Sequence, residues 1–217
     1  MTDHLRDGRT PVFTRAAFAR LATAAGEAER AGEVLLIVPA APGTFCAGAD
    51  LDDARRYIDQ PDDYLSMIDS CWEALESGGA PIVVAVDGPA VGGAFELCLA
   101  ADAVVATDRA WFSLPEATFG LPPISATRRL AAAVGRTRAR EIVLSGRRVA
   151  CDEARELGLV KTLCASDDLL TSAHAIAEAL GKAGPHAARA IKSALSTSAT
   201  DREIAREWFV RGIGGSR

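Results

Sequence analysis

Two glutamates stand where a carboxylate is costly. Glu96 lies within the otherwise apolar Ala94-Phe95-Glu96-Leu97-Cys98-Leu99, and Glu116 follows Leu114-Pro115 beside Ala117 and Phe119. A lone carboxylate is buried only if it is paired, hydrogen-bonded or protonated. Two carboxyls whose surroundings push their pKa values apart are the raw material of a general acid and a general base. They are 20 residues apart on separate elements, and pairing with Arg128 or Arg129 is an open alternative for either one. Two glycine-containing turns, at Gly48 and at Gly88/Gly92/Gly93, follow the two most apolar runs of the chain and lead into helix starts. A helix start leaves backbone N–H groups unpaired and carries partial positive charge, and glycine lets a ligand approach the backbone. Two such N–H groups converging from the two turns make an oxyanion hole for a developing enolate. The alternative is glycine needed only for tight strand-to-helix packing.

Other chemistries are disfavoured. Gly88-Pro-Ala-Val-Gly-Gly93 is not a GxGxxG dinucleotide fingerprint, and no GxxxxGK[ST] phosphate loop exists. Ser113 and Ser125 lack a G-x-S-x-G elbow, and His4, His174 and His186 lie in the N-terminal tail or on predicted late helices, so a Ser/His triad is not indicated. Asp50, Asp52 and Asp53 lack the glycine and closing glutamate of an EF-hand loop. Cys46, Cys71, Cys98, Cys151 and Cys164, at spacings of 25, 27, 53 and 13, show no metal-ligand pattern and read as reduced thiols in or near the core. No metal site is expected. Asp102 reads as a residue that caps or pairs near a helix end.

These residues need elements to hold them. Thr14 to Arg30 places Phe18, Leu21 and Ala25 at helical spacing, with Thr14 as N-cap and Gly32 as the stop. Glu33–Val38 and Pro81–Val86 are unbroken apolar runs of the kind taken by parallel strands buried on both faces. The acid-rich stretch 52–63 reads as a mobile loop or short helix, and Tyr64–Glu76 as a helix by its Leu65, Ile68, Trp72 and Leu75 stripe. Ala94–Ala101 is a helix, Ala103–Ala106 a third strand, and Trp111-Phe112 part of a fourth that Pro115 closes. Beyond Pro122-Pro123 the remainder reads as helices: Ala126–Val134, Thr137–Ser145, Cys151–Leu157, Asp167–Leu180 and His186–Leu195. Strands alternating with helices and giving way to helices predict an α/β layered core over about 1–160 and a helical region over about 161–217, in one domain.

Composition fits that reading. The chain has 217 residues, 24 Lys plus Arg against 29 Asp plus Glu for a net charge of −5, and 49 % apolar residues. The arginines are scattered among acids, without the basic face that nucleic-acid binding needs. No run of 18 apolar residues suits a membrane span, and the start has no basic region leading into an apolar one, so a soluble, cytoplasmic protein is expected.

Phe45-Cys-Ala-Gly-Ala-Asp-Leu51, Pro81-Ile-Val-Val-Ala-Val-Asp-Gly-Pro-Ala-Val-Gly-Gly-Ala-Phe-Glu-Leu97, Asp102 and Phe112-Ser-Leu-Pro-Glu116, in this order and spacing, resemble the enoyl-CoA hydratase/isomerase (crotonase) family. The resemblance covers about residues 14 to 200. It implies a spiral of ββα units, usually assembled as a homotrimer or a hexamer of two trimers. An acyl-CoA or acyl-carrier-protein thioester is then expected between the two turns, with coenzyme A as part of the substrate and no separate cofactor. The backbone N–H groups of Ala49 and Gly93 match the family's oxyanion hole, Glu96 and Glu116 its two hydratase glutamates, and Ala47, Ala49, Asp50, Leu51 and Gly92 fall in its substrate-binding turns. The implied reaction is hydration of an enoyl thioester or the reverse dehydration, in a specialised biosynthetic or degradative pathway. The alternatives are a double-bond isomerase or a catalytically weak crotonase-fold accessory or binding protein. The family's N-terminal strands are expected to be shortened and its last segment absent. Its glycine-rich turn after Glu116 is replaced by Gly120-Leu-Pro-Pro-Ile-Ser-Ala-Thr127, which implies a reshaped acyl pocket.

Overall fold

A computed structural model describes residues 11–195 and 210. The stretch before residue 11, on which the expected shortening of the N-terminal strands falls, His4, and the segment around Trp208-Phe209 lie outside the described residues. Helix α1 (Arg15–Ala31) is capped by Thr14, whose side chain accepts from Ala17 N, and ends at Gly32, whose φ of 71° is the left-handed stop. Then the chain winds three times through the same path. The first turn runs from β1 (Leu35–Ile37) past Cys46 into α2 (Leu51–Arg55) and α3 (Pro61–Ser77). The second is β2 (Ile82–Val86), β3 (Pro89–Val91) and α4 (Gly93–Ala100). The third is β4 (Ala103–Thr107), β5 (Trp111–Ser113), a 3-10 turn over Pro115–Phe119 and α5 (Ile124–Val134). Each winding adds to two layers: β1, β2 and β4 lie parallel in one sheet, while β3 and β5 pair in a second sheet, with Cys46 bridging Ala90 alongside.

The middle strand explains the unbroken apolar runs. All of β2 is buried: Ile82, Val84 and Val86 face the main core with Phe18, Trp72, Leu75 and Phe95, while Val83 and Ala85 face a second cluster with Leu169 and Ala173. Alternate residues of a strand point to opposite faces, so a sheet covered on both sides needs apolar residues at every position. Val104 and Val105 of β4 divide between the two clusters in the same way. Helix α8 (Leu169–Leu180) supplies the outer cover.

The elements after Pro122-Pro123 correct the all-helical expectation for the late chain. Helices α6 (Arg136–Ser145), α7 (Cys151–Glu156) and α9 (Pro185–Leu195) are present, but β6 (Val149–Ala150) and β7 (Thr162–Cys164) lie among them. β6 pairs antiparallel with β5, and β7 adds to β4 in register Val105 with Thr162, so the α/β core runs past residue 160 into the stretch expected to be helical. Strands of two or three residues are too short to show a period. For the same reason β3 is not legible inside the glycine-rich turn. The expected strand at Glu33–Val38 is shorter and only half-buried, because β1 lies at the sheet edge. Within 52–63 the outcome is the short helix α2, capped by Asp50, and then Pro61 opens α3. Asp102 accepts from Ile82 N at 2.7 Å and from Lys192 Nζ at 2.6 Å, a pairing role as expected. Cys46, Cys71, Cys98 and Cys151 are buried, Cys164 is half-buried, and all five are unbridged. No described helix is long and apolar enough to cross a membrane.

Candidate active site

The two turns meet. Phe13 bridges Ala49 in parallel fashion, its N–H donating to Gly48 O (2.7 Å) and its carbonyl accepting from Asp50 N (2.9 Å). In such a bridge the residue opposite keeps its own N–H and C=O on the other side, so Ala49 N–H points away from Phe13. On that other side is Gly93, the first residue of α4, whose N–H the helix cannot use. A Cβ built on Gly48 would lie 3.3 Å from Gly93 N and 2.6 Å from Val91 O, and one built on Gly93 would lie 3.8 Å from Ala49 N. With φ at 92°, Gly48 is required both by its backbone conformation and by the closeness of β3.

Gly92 performs the matching task. Its φ of 55° and ψ of −123° suit glycine, and a Cβ there would lie 2.7 Å from Glu116 Oε1. The carboxyl of Glu116 thus lies against the turn from which Gly93 offers its N–H. Gly92 N–H itself donates to Ser113 O at 2.9 Å, so this residue contributes space rather than a donor.

Glu96 is one helical turn into α4, where its N–H donates to Gly92 O at 2.9 Å. Its Oε1 accepts from Arg129 Nη1 at 2.6 Å and from the Ser125 hydroxyl, both on α5. Arg129 is itself buried. Its other guanidinium nitrogens bond both oxygens of Glu76, at the end of α3, and it lies 5.4 Å above the Trp72 ring. Burial pushes the Glu96 pKa up, opposed by the Arg129 charge and the Ser125 hydrogen bond. Glu116 differs. Its Oε2 is buried without a hydrogen-bond partner, and burial, with the Glu96 charge adding to it, raises its pKa to about 7. The ion-pair alternative open for both glutamates therefore holds for Glu96, with Arg129 and not Arg128, while Glu116 takes part in no ion pair among the described residues.

Of the other residues in the first turn, Ala47 is exposed and its N–H donates to Pro11 O at 2.7 Å. Asp50 holds its carboxylate on Asp52 N (2.9 Å) and Asp53 N (3.1 Å), so that side chain caps α2. Leu51 opens α2 and is 48 % exposed. Sequence reasoning missed Ser125 as a partner of Glu96 and missed Glu76 entirely. Glu76 and Arg129 are 53 residues apart and meet only because α3 and α5 pack around α4. The one local signal is Ser125 and Arg129 at i, i+4 on α5, which shares a helix face.

A family model described as enoyl-CoA hydratase/isomerase matches residues 19–209. The chain belongs to the enoyl-CoA hydratase/isomerase family. The 2,3-dehydroadipyl-CoA hydratase of Escherichia coli (strain K12) is 36 % identical over 158 residues, 71 % of this chain and 60 % of that protein. The crystal structure of an enoyl-CoA hydratase from Bacillus anthracis superposes with a TM-score of 0.77 at 30 % identity, covering 97 % of this chain and 84 % of that one. An enoyl-CoA hydratase/isomerase from Cupriavidus metallidurans CH34 gives 0.76 at 32 % identity, covering 98 % and 83 %. The chain spans about 60 % of the length of the curated relatives it matches. The spiral of ββα turns expected from the resemblance is the crotonase fold of this enoyl-CoA hydratase/isomerase family member.

Proposed function

We propose that this chain adds water across the conjugated double bond of an enoyl thioester, or runs the reverse dehydration. The observation that carries the reading is the placing of two buried carboxyls with opposite surroundings around one pair of turns, Glu96 clamped by donors and Glu116 with an unpartnered oxygen. The thioester oxygen takes the N–H groups of Ala49 and Gly93, which stabilise charge as the enolate forms. Glu96 draws a proton from water, whose oxygen bonds Cβ, and Glu116, near half-protonated at neutral pH, delivers a proton to Cα. Dehydration reverses each transfer. The family expectation of coenzyme A or a carrier-protein pantetheine as thiol carrier stands here as part of the proposal. An acidic chain of net charge −5 must meet an anionic carrier through local basic groups and backbone donors. A soluble cytoplasmic homotrimer or hexamer completes the proposal, and exposed Ile191 and Leu195 on α9 leave apolar area for such packing.

The test is incubation with crotonyl-CoA and a panel of enoyl thioesters, following loss of the conjugated thioester absorbance. Hydration is expected, with Glu96→Gln and Glu116→Gln each slower by about 10²–10⁴. No turnover on any thioester, or variants as fast as the parent, overturns the reading. One observation favours a second reading: Arg129 and Ser125 already occupy Glu96 Oε1, leaving Glu116 as the freer carboxyl. Glu116 alone moving a proton between Cα and Cγ is isomerisation, and a Glu96→Gln variant that keeps full isomerase activity selects it. Stoichiometric acyl-CoA binding without turnover selects the accessory role.

A further inference from the structure

The geometry points to Ser125 and Arg129 as positioning residues that clamp Oε1 of Glu96 and so make Oε2 the atom that exchanges the proton. Among the described residues, the two hydrogen-bond donors to Glu96 both fall on Oε1. A guanidinium has donors and no acceptor. With Arg129 Nη1 2.6 Å from Oε1 and the Ser125 hydroxyl donating to the same oxygen, both lone pairs of Oε1 are taken, and any proton Glu96 takes goes to Oε2.

Arg129 is fixed independently of Glu96. It is forked onto Glu76 and lies over Trp72, both on α3, so α3 anchors the cation and α5 delivers it to α4. Ser125 adds a second donor one turn earlier on α5. It lies in the segment Gly120–Thr127, where the resemblance leads one to expect glycines. Its hydroxyl puts a donor from that segment on the Glu96 carboxylate.

The charged and titratable groups facing Glu96 come from three elements. Arg129 comes from α5, Glu76, Asp69 and Cys71 from α3, and Glu116 from the 3-10 turn. The acids among them disfavour an ionised Glu96, while Arg129 and the Ser125 hydroxyl favour it. Removing the hydroxyl therefore shifts the ionisation of Glu96 to higher pH, and the acid limb of the rate profile moves up with it.

This inference rests on the hydration reading for its kinetic arm. Ser125→Ala is expected to move the acid limb of kcat/KM up by about one pH unit and to lower kcat about tenfold at neutral pH with KM unchanged. Ser125→Thr, which keeps a hydroxyl, is expected to restore most of the rate. An acid limb in Ser125→Ala that coincides with the parent's overturns the clamp. A second arm needs no turnover. Protein carrying 13C-labelled glutamate carboxyls is titrated by NMR, with Glu96 assigned by its loss in Glu96→Gln. Its midpoint is expected about one unit higher in Ser125→Ala, and an unmoved midpoint overturns the inference. Failure of hydration with a shifted midpoint removes the proposed reaction and keeps the clamp.

Discussion

Glu96 and Glu116 lie around the same turn and are held in opposite ways. Glu96 is held by two partners supplied from α5, one of them an arginine braced by α3, so its place depends on long-range packing. Glu116 rests on a glycine it cannot approach more closely, with one oxygen lacking any donor, so its state depends on desolvation. The difference teaches that one site can favour the charged form of one carboxyl by pairing it and the protonated form of another by starving it of partners.

The largest effect that sharpens this contrast is expected from Arg129→Leu. It leaves Glu76 and Glu96 buried without their cation, and the loss in unfolding free energy by urea denaturation should be about 3–5 kcal/mol. A loss below about 1 kcal/mol would show that the pairing is not what holds Glu96. Glu116 should behave in the opposite way. Its folded pKa of about 7 lies above the ordinary carboxyl value of 4.5, so the folded state binds the extra proton between those values and loses relative stability as pH rises through that window. Glu116→Gln should therefore match the parent near pH 4.5 and exceed its stability by up to about 3 kcal/mol above pH 7. A constant difference across the range would contradict the assignment.

Gly92→Ala comes next. The left-handed backbone and the contact with Glu116 Oε1 should cost about 1–2 kcal/mol and displace the Glu116 carboxyl, so that its pH-linked stability change shrinks together with any turnover. The smallest effect is expected at an exposed ion pair. Glu141→Gln loosens one arm of the Arg147 pairing with Glu141 and Glu153 and should leave the denaturation midpoint in place, in contrast to the buried arginine.

Much of the frame is legible along the chain. Val83 and Val84 face opposite clusters, and that two-sided burial is why β2 reads as one apolar run. Thr14 and Gly32 mark the ends of α1 because cap chemistry is local. The strands β3, β6 and β7 are not legible in the same way, because two or three residues carry no period and their pairing partners are distant in sequence. Cys46 joins the second sheet through a single bridge to Ala90, below what any local pattern registers.

By itself the sequence determined which residue types are available for chemistry: two glutamates among apolar neighbours and glycines where a turn must admit a ligand or a close strand. Residue type and local conformation depend on neighbours a few positions away, which the linear order contains. The protonation environment of each glutamate was decided only by the tertiary structure. It depends on which donors reach each oxygen, and the donors to Glu96 arrive from α5, with the arginine among them braced by α3, while none reaches Oε2 of Glu116. Electrostatic energy inside a protein follows distance and desolvation in space, and neither is fixed by spacing along the chain.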